Sequence, residues 1–115
     1  MTQPTIDQTT FEELKATAGA EFVSELVDTF LAEAPAMLAD LRSALAAGDA
    51  DRFRRAAHSL KSNSNTFGAL ALGALAKNLE LTGLAPAAAA NGATLDALDA
   101  EYARVATALN ELRHA

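Results

Sequence analysis

Apolar residues recur at three- and four-residue intervals along most of the chain, which is the spacing of one face of an α-helix. The longest such run extends from Ala20 to Ala47. Its stripe comprises Val23, Val27, Phe30, Ala34, Met37, Leu38, Leu41 and Leu45. The same spacing predicts further helices over residues 10–17, 50–66, 69–82 and 94–113. No segment alternates with period two, so the sequence predicts no β-sheet.

Capping residues and glycines mark where these helices begin and end. Thr10 precedes Glu13 by three residues, which is the capping-box spacing at a helix N-terminus. Asp49 or Asp51 is suited to cap the helix over residues 50–66. Glycines follow four of the predicted helices, at positions 19, 48, 68 and 83.

Two prolines modify this pattern. Pro35 lies inside the longest run, and because it removes one backbone donor we expect a kink or a break near it. Pro86 interrupts the chain after Gly83, and residues 87–90 are expected to form one extra turn before Asn91-Gly92.

Four long amphipathic helices with short connections predict an all-α fold. We expect an antiparallel up-down four-helix bundle with a short additional helix at the N-terminus. The apolar stripe of each helix supplies the core. Residues 1–9 contain Thr, Gln and Pro and are expected to form a flexible N-terminal arm, with residues 10–115 forming the bundle domain.

Composition excludes several classes of function. The chain has 115 residues, which is the usual size of one domain, and 50% of them are apolar, which suffices for a core. It has no Cys, so disulfides, thiolate zinc sites and cysteine nucleophiles are excluded. The net charge of −6 argues against a nucleic-acid partner. No signal peptide and no membrane span are recognisable, so we expect a cytoplasmic monomer without a membrane partner.

His58 is predicted to lie on the solvent face of its helix. At about 100° per residue, Phe53, Ala56 and Leu60 fall opposite His58 and form the core face. The residues predicted to share its polar face are Asp51, Arg54, Arg55, Lys61, Ser62 and Asn65. A metal site is not predicted, because no second ligand lies at position i+4 from His58. The other histidine, His114, is the penultimate residue and is given no role.

The charge around His58 differs from that of the rest of the chain. Residues 51–68 hold four bases and one acid, whereas residues 1–50 and 69–115 are both acidic. Neighbouring cations disfavour the imidazolium, so the neutral, nucleophilic ring is expected. The same cations would attract an anion and stabilise it once it is attached. A solvated charged face with an incidental His remains the alternative interpretation.

The stretch from Ala57 to Ala69, AHSLKSNSNTFGA, resembles the signature of histidine-containing phosphotransfer (HPt) domains. In that signature a His is followed by Leu, by Lys at the third position after it, by small residues and by Gly. The Gly48-Asp49 turn and the Arg-Arg-Ala-Ala that precedes His58 are also similar to this family. The resemblance extends over about residues 6–113 and implies a small helical bundle with the His on its third helix.

The resemblance, together with the local charge pattern, indicates roles for eight residues. By the resemblance, His58 would accept and donate the phosphoryl group and Lys61 would stabilise it, and by their charge Arg54 and Arg55 would stabilise it too. Access to the ring and its orientation would depend on Ser62, Asn65, Gly68 and Glu80. Ser62 departs from the family pattern, which often has Gly there, and Glu80 corresponds to a residue on the following helix that contacts the ring in some members.

The resemblance also implies partners. The phosphoryl group would pass between aspartates of response-regulator receiver domains, supplied by a hybrid sensor histidine kinase. No cofactor is expected in this chain, because the Mg²⁺ for the reaction would come from the receiver. No glycine-rich phosphate loop is present, so a phosphocarrier without its own ATP site is expected rather than an enzyme. The alternatives are a phosphotransfer or dimerisation domain of a larger hybrid or chemotaxis-type kinase, and a non-catalytic helical adaptor.

Overall fold

The computed structural model describes residues 5–89 and 92–113, and this part of the chain contains helices and no strand. The helices are α1 (Gln8–Ala18), α2 (Ala20–Ala47), α3 (Ala50–Thr66), α4 (Leu70–Thr82), α5 (Leu84–Ala89) and α6 (Ala93–Arg113). The predicted all-α fold, a helical bundle, is confirmed. None of these helices is long and apolar enough to cross a membrane.

The four long helices form a ring in which each contacts the next: α2 with α3, α3 with α4, α4 with α6, and α6 with α2. Neighbours run antiparallel, because Asp40 near the end of α2 pairs with Arg52 near the start of α3. Arg42 of α2 likewise pairs with Asp96 at the start of α6. The residues inside the ring are almost all apolar, with Phe53, Leu41, Leu60, Leu72, Leu98 and Leu109 among the largest fully buried side chains.

Helix α1 begins earlier than predicted, because its cap is Asp7, three residues before Thr10. The Asp7 carboxylate accepts hydrogen bonds from the backbone N–H of Thr10 at 3.1 Å and from its hydroxyl at 2.5 Å. Ile6 is buried in the core. The end of the predicted flexible arm is therefore part of the packed structure, whereas residues 1–4 lie outside the described residues.

Helix α2 ends where the sequence predicts, and Pro35 does not break it. Pro35 has no N–H to donate to the Leu31 carbonyl, and this carbonyl instead accepts from the Tyr102 hydroxyl of α6 at 3.5 Å. Gly48 follows the last turn with φ of +70°, and its N–H donates to the carbonyls of Ala44 and Leu45. This left-handed glycine cap turns the chain into Asp49, which caps α3 by accepting from the N–H of Arg52.

Helix α5 begins three residues before the predicted extra turn over residues 87–90. It begins at Leu84, directly after Gly83, and Pro86 lies within its first turn, where proline is tolerated because no hydrogen-bond donor is needed there. Ala87 of this helix is buried in the core. The last residue of the predicted turn, Ala90, lies outside the described residues.

Gly68 joins the end of α3 to the N-terminal segment. Its φ is +84°, its carbonyl accepts the N–H of Asp7 at 2.8 Å, and a β-carbon at this position would stand 2.8 Å from the Asp7 carbonyl oxygen. Both the backbone angle and the close approach require glycine. The contact places the first described residues of the chain against the turn between α3 and α4.

Candidate functional site

His58 lies in the middle of α3 with 60% of its side chain exposed, as the helical spacing predicts. The opposite face of α3 is buried and comprises Phe53, Ala57, Leu60 and Ser64. Ala56, which was predicted for the core face, is only half-buried, because the face turns slightly towards α4 and buries Ala57 instead. The buried Ser64 hydroxyl donates to the Leu60 carbonyl at 2.6 Å, which satisfies it within the helix.

Glu80 of α4 contacts the His58 ring. Its Oε2 lies within hydrogen-bond distance of His58 Nδ1, and its Oε1 accepts from Lys61 Nζ at 2.8 Å. The Glu80 side chain is only 16% exposed and that of Lys61 24%, so the pair is partly sheltered from water. The antiparallel pairing of α3 and α4 thus brings together three residues from two helices.

The charge state of Glu80 determines which ring nitrogen is free. Hydrogen bonds from Lys61, and secondarily from His58, hold the pKa of Glu80 below its ordinary value although partial burial opposes this. Glu80 is therefore a carboxylate at neutral pH and accepts hydrogen bonds only. The proton of the neutral ring accordingly lies on Nδ1, and Nε2 keeps its lone pair.

The cations around His58 are mostly engaged in ion pairs. Arg54 pairs with Asp51 at 3.0 Å and Arg52 with Asp40 at 2.6 Å, and Lys61 pairs with Glu80. The charge pattern along α3 predicted cations around the ring, whereas the charged group in contact with the ring is the carboxylate of Glu80, the residue that the resemblance implied. That carboxylate comes from another helix, 22 residues further along the chain.

Comparison with known proteins identifies the family. A family model described as the Hpt domain matches residues 25–113. The chain belongs to the Hpt domain family. It therefore has a histidine phosphotransfer role in a phosphorelay.

One solved structure is similar to this Hpt domain over nearly its whole length. It is described as the crystal structure of histidine-containing phosphotransfer protein B (HptB) from Pseudomonas aeruginosa PAO1. The two share 29% sequence identity with a TM-score of 0.82, and the similarity covers 98% of this chain and 97% of the other. No curated protein sequence matches the chain.

The remaining predicted site residues of the Hpt domain lie at different distances from the ring. Ser62 is exposed one turn after His58 and leaves that side of the ring open. Asn65 lies two turns away, and its side chain packs on Gly73 of α4, where any β-carbon would overlap its Oδ1. Gly68 lies about 15 Å along the helix from His58, at the contact with Asp7. The structure thus gathers Lys61 and Glu80 at the ring but not Asn65 or Gly68.

Two features were missed by the sequence analysis. Gly73 allows α4 to approach Asn65 closely, and a glycine inside a predicted helix was an available signal for such an approach. A groove between α2 and α3 is lined by Met37, Asp40, Arg52, Arg55, Ala56 and Ser59. The sequence alone did not fix which residues of these two helices line a groove, because that depends on how the helices pack. In the described part of the chain, no group of three or more metal-binding side chains is present.

Replacement of Lys61 by Met is expected to raise the pKa of Glu80, because it removes the stronger of the two hydrogen bonds that lower it. In the wild type, the Glu80 carboxylate stabilises the folded state at every pH above the pKa of a Glu in the unfolded chain. This stabilisation is lost as the pH falls through the lower folded pKa. Carbon-detected NMR titration of the Glu80 carboxyl measures the change. Lys15→Met, on α1 beside Phe11 and Leu112, is the control and should leave the Glu80 titration where it is.

Proposed function

We propose that this Hpt domain carries a phosphoryl group between aspartates of response-regulator receiver domains through Nε2 of His58. The observation that supports this most directly is the pairing of Nδ1 with the Glu80 carboxylate on an exposed ring. It fixes one tautomer, and it directs the nucleophilic nitrogen away from Glu80.

The proposed transfer conserves atoms and charge at each step. The Nε2 lone pair attacks the phosphorus of a receiver aspartyl phosphate, in line with the bond from phosphorus to the aspartate oxygen. A phosphorus–nitrogen bond forms, the phosphorus–oxygen bond breaks, and the receiver aspartate leaves as a carboxylate. The Nδ1 proton stays on the ring beside Glu80. In the return step the carboxylate of another receiver attacks the phosphorus, and the lone pair returns to Nε2.

Lys61 supplies positive charge in this proposal. Its ammonium group lies one turn from His58 and is held by Glu80 at 2.8 Å. When a phosphoryl group occupies Nε2, Lys61 would donate to its oxygens while remaining close to Glu80. Arg54 is tied to Asp51 on the exposed surface and contributes more weakly.

In this proposal, the partner proteins supply both the metal ion and the phosphoryl group. Mg²⁺ would enter with the receiver domain, because the acidic group at the ring, Glu80, is already paired with His58 and Lys61. A hybrid sensor histidine kinase would supply the phosphoryl group from ATP. The chain would act as a phosphocarrier in the cytoplasm, where these partners meet.

A phosphotransfer assay with receiver domains tests the proposal. Each receiver domain of the same organism is labelled at its aspartate with radioactive acetyl phosphate, freed of excess reagent and mixed with the chain. We expect label to leave at least one receiver and to appear on this chain in an acid-labile, base-stable form. A second, unlabelled receiver should then recover it. Failure of every receiver to label the chain would favour a non-catalytic adaptor.

A further inference from the structure

The side chain of Asn65 on α3 lies directly against the backbone of α4 at Gly73. A β-carbon added to Gly73 would overlap Asn65 Oδ1 and would stand 2.9 Å from its Cγ and 3.3 Å from its Nδ2. The Asn65 amide therefore occupies the space that a side chain at position 73 would take. Gly73 lies inside α4 and does not have a positive φ, so close packing and not a turn requires glycine here.

This contact and the contact of Glu80 with His58 lie on the same face of the helix pair. Seven residues separate His58 from Asn65 on α3, and seven separate Gly73 from Glu80 on α4. Seven residues of α-helix span about 10 Å and fall within about 20° of two full turns. Since α3 and α4 are antiparallel, the two contacts occupy matching positions of the pair, about 10 Å apart.

Between the two contacts, this face of α4 carries a small residue. Ala76 lies one turn after Gly73 in the direction of Glu80, and it is fully buried. The distance between two packed helices depends on the side chains at their contact, and small side chains allow a close approach. The Asn65 side chain, seated on the bare backbone at Gly73, therefore sets how closely α4 approaches α3 at this end of the face.

The contact at the ring is sensitive to that distance. The Glu80 carboxylate is shared between Lys61 Nζ, at 2.8 Å, and His58 Nδ1, and both of these groups belong to α3. Because N–H···O hydrogen bonds have lengths of about 2.7–3.2 Å, a displacement of α4 by about 1 Å takes the carboxylate out of this range. The Glu80 side chain is only 16% exposed, so the surrounding packing restricts its freedom to follow.

We infer that Asn65 and Gly73 are positioning residues for phosphoryl transfer, because their contact sets the spacing and register of α3 and α4 at which Glu80 reaches the His58 ring. The inference rests on the proposed function, in which His58 Nε2 is the nucleophile. Asn65 and Gly73 lie about two turns from the ring and act through Glu80. Glu80 accepts the Nδ1 proton in a hydrogen bond and so fixes the tautomer that leaves Nε2 free.

A reciprocal exchange of side-chain size tests this assignment. Gly73→Ala adds a methyl group where the Asn65 amide lies, Asn65→Ala removes the amide, and the double variant places the new methyl group in the space that the amide leaves. Gly48→Ala is the control, because it adds the same methyl group where no atom lies within 4 Å. Nitrogen NMR shifts of the neutral His58 ring report its tautomer, and label uptake from a phosphorylated receiver reports the transfer rate.

We expect Gly73→Ala to lower the transfer rate by about tenfold or more and to leave the neutral ring as a mixture of both tautomers. Asn65→Ala should shift the tautomer in the same direction. The double variant should recover the tautomer with the proton on Nδ1 and most of the rate. Gly48→Ala should match the wild type in both measurements, although its backbone strain lowers stability.

The titration of Glu80 provides an independent readout, which a loss of stability alone does not move. Hydrogen bonds from Lys61 and, secondarily, from His58 hold the pKa of Glu80 below its ordinary value. Displacement of α4 weakens both bonds, so the pKa of Glu80 should rise in Gly73→Ala and fall again in the double variant.

Two outcomes contradict the assignment in different ways. A wild-type tautomer and an unchanged Glu80 titration in Gly73→Ala would show that the Asn65 side chain swings aside and that the contact does not position α4. Absence of label on the wild-type chain with every receiver would overturn the proposed function and any role of this contact in transfer. The tautomer and the Glu80 titration need no receiver, so they would still decide whether Asn65 and Gly73 position Glu80.

Discussion

Replacement of His58 by Gln is expected to abolish phosphoryl transfer while leaving the helical bundle intact. The proposed nucleophile is His58 Nε2, and a glutamine amide offers no comparable lone pair on nitrogen. We expect the transfer rate to fall by a factor on the order of 10³ or more, as when a nucleophile is removed from an active site. The fold should persist, since 60% of the side chain is exposed and no core contact is lost.

The measurement is label uptake from a phosphorylated receiver, with circular dichroism recorded on the same samples. His114→Gln serves as the matched control, because His114 is the other histidine of the chain and lies outside the described residues. It should take up label as the wild type does. If His58→Gln retains acid-labile label while His114→Gln loses it, the assignment of the phosphoryl group to His58 is wrong.

Replacement of Gly68 by Ala is expected to destabilise the fold by about 2–5 kcal/mol, which combines a strained backbone with overpacking. Its φ of +84° is unfavourable for any residue with a β-carbon. The new methyl group would also lie 2.8 Å from the Asp7 carbonyl oxygen, which is a backbone atom and does not move without shifting the start of α1. The free energy of unfolding, measured by urea denaturation, reports the sum of these effects.

Gly48→Ala separates the two contributions. Gly48 also has a positive φ, of +70°, but no atom lies within 4 Å of the position of an added β-carbon. This variant should lose only about 1–2 kcal/mol, from backbone strain alone. Equal losses for the two variants would show that the N-terminal segment does not press against Gly68.

Helices α2 and α3 were predicted to the residue, because their signals are local. The apolar spacing from Val23 to Leu45 and the left-handed glycine at position 48 act within a few residues of each other. The start of α1 was predicted incorrectly, although Asp7 is also a good capping residue by type. Its position is decided partly by the hydrogen bond from its N–H to Gly68, 61 residues away, and no local pattern reports such a contact.

The sequence by itself determined that His58 stands on the solvent face of a helix, because the direction of a side chain follows from helical periodicity and from the apolar residues around it. It also supplied the motif that resembles the Hpt domain. The resemblance implied that Glu80 lies near the ring, but only the tertiary structure decided that its carboxylate reaches Nδ1 and also pairs with Lys61. These contacts join residues on different helices, and their geometry depends on how α2, α3 and α4 pack around a shared core.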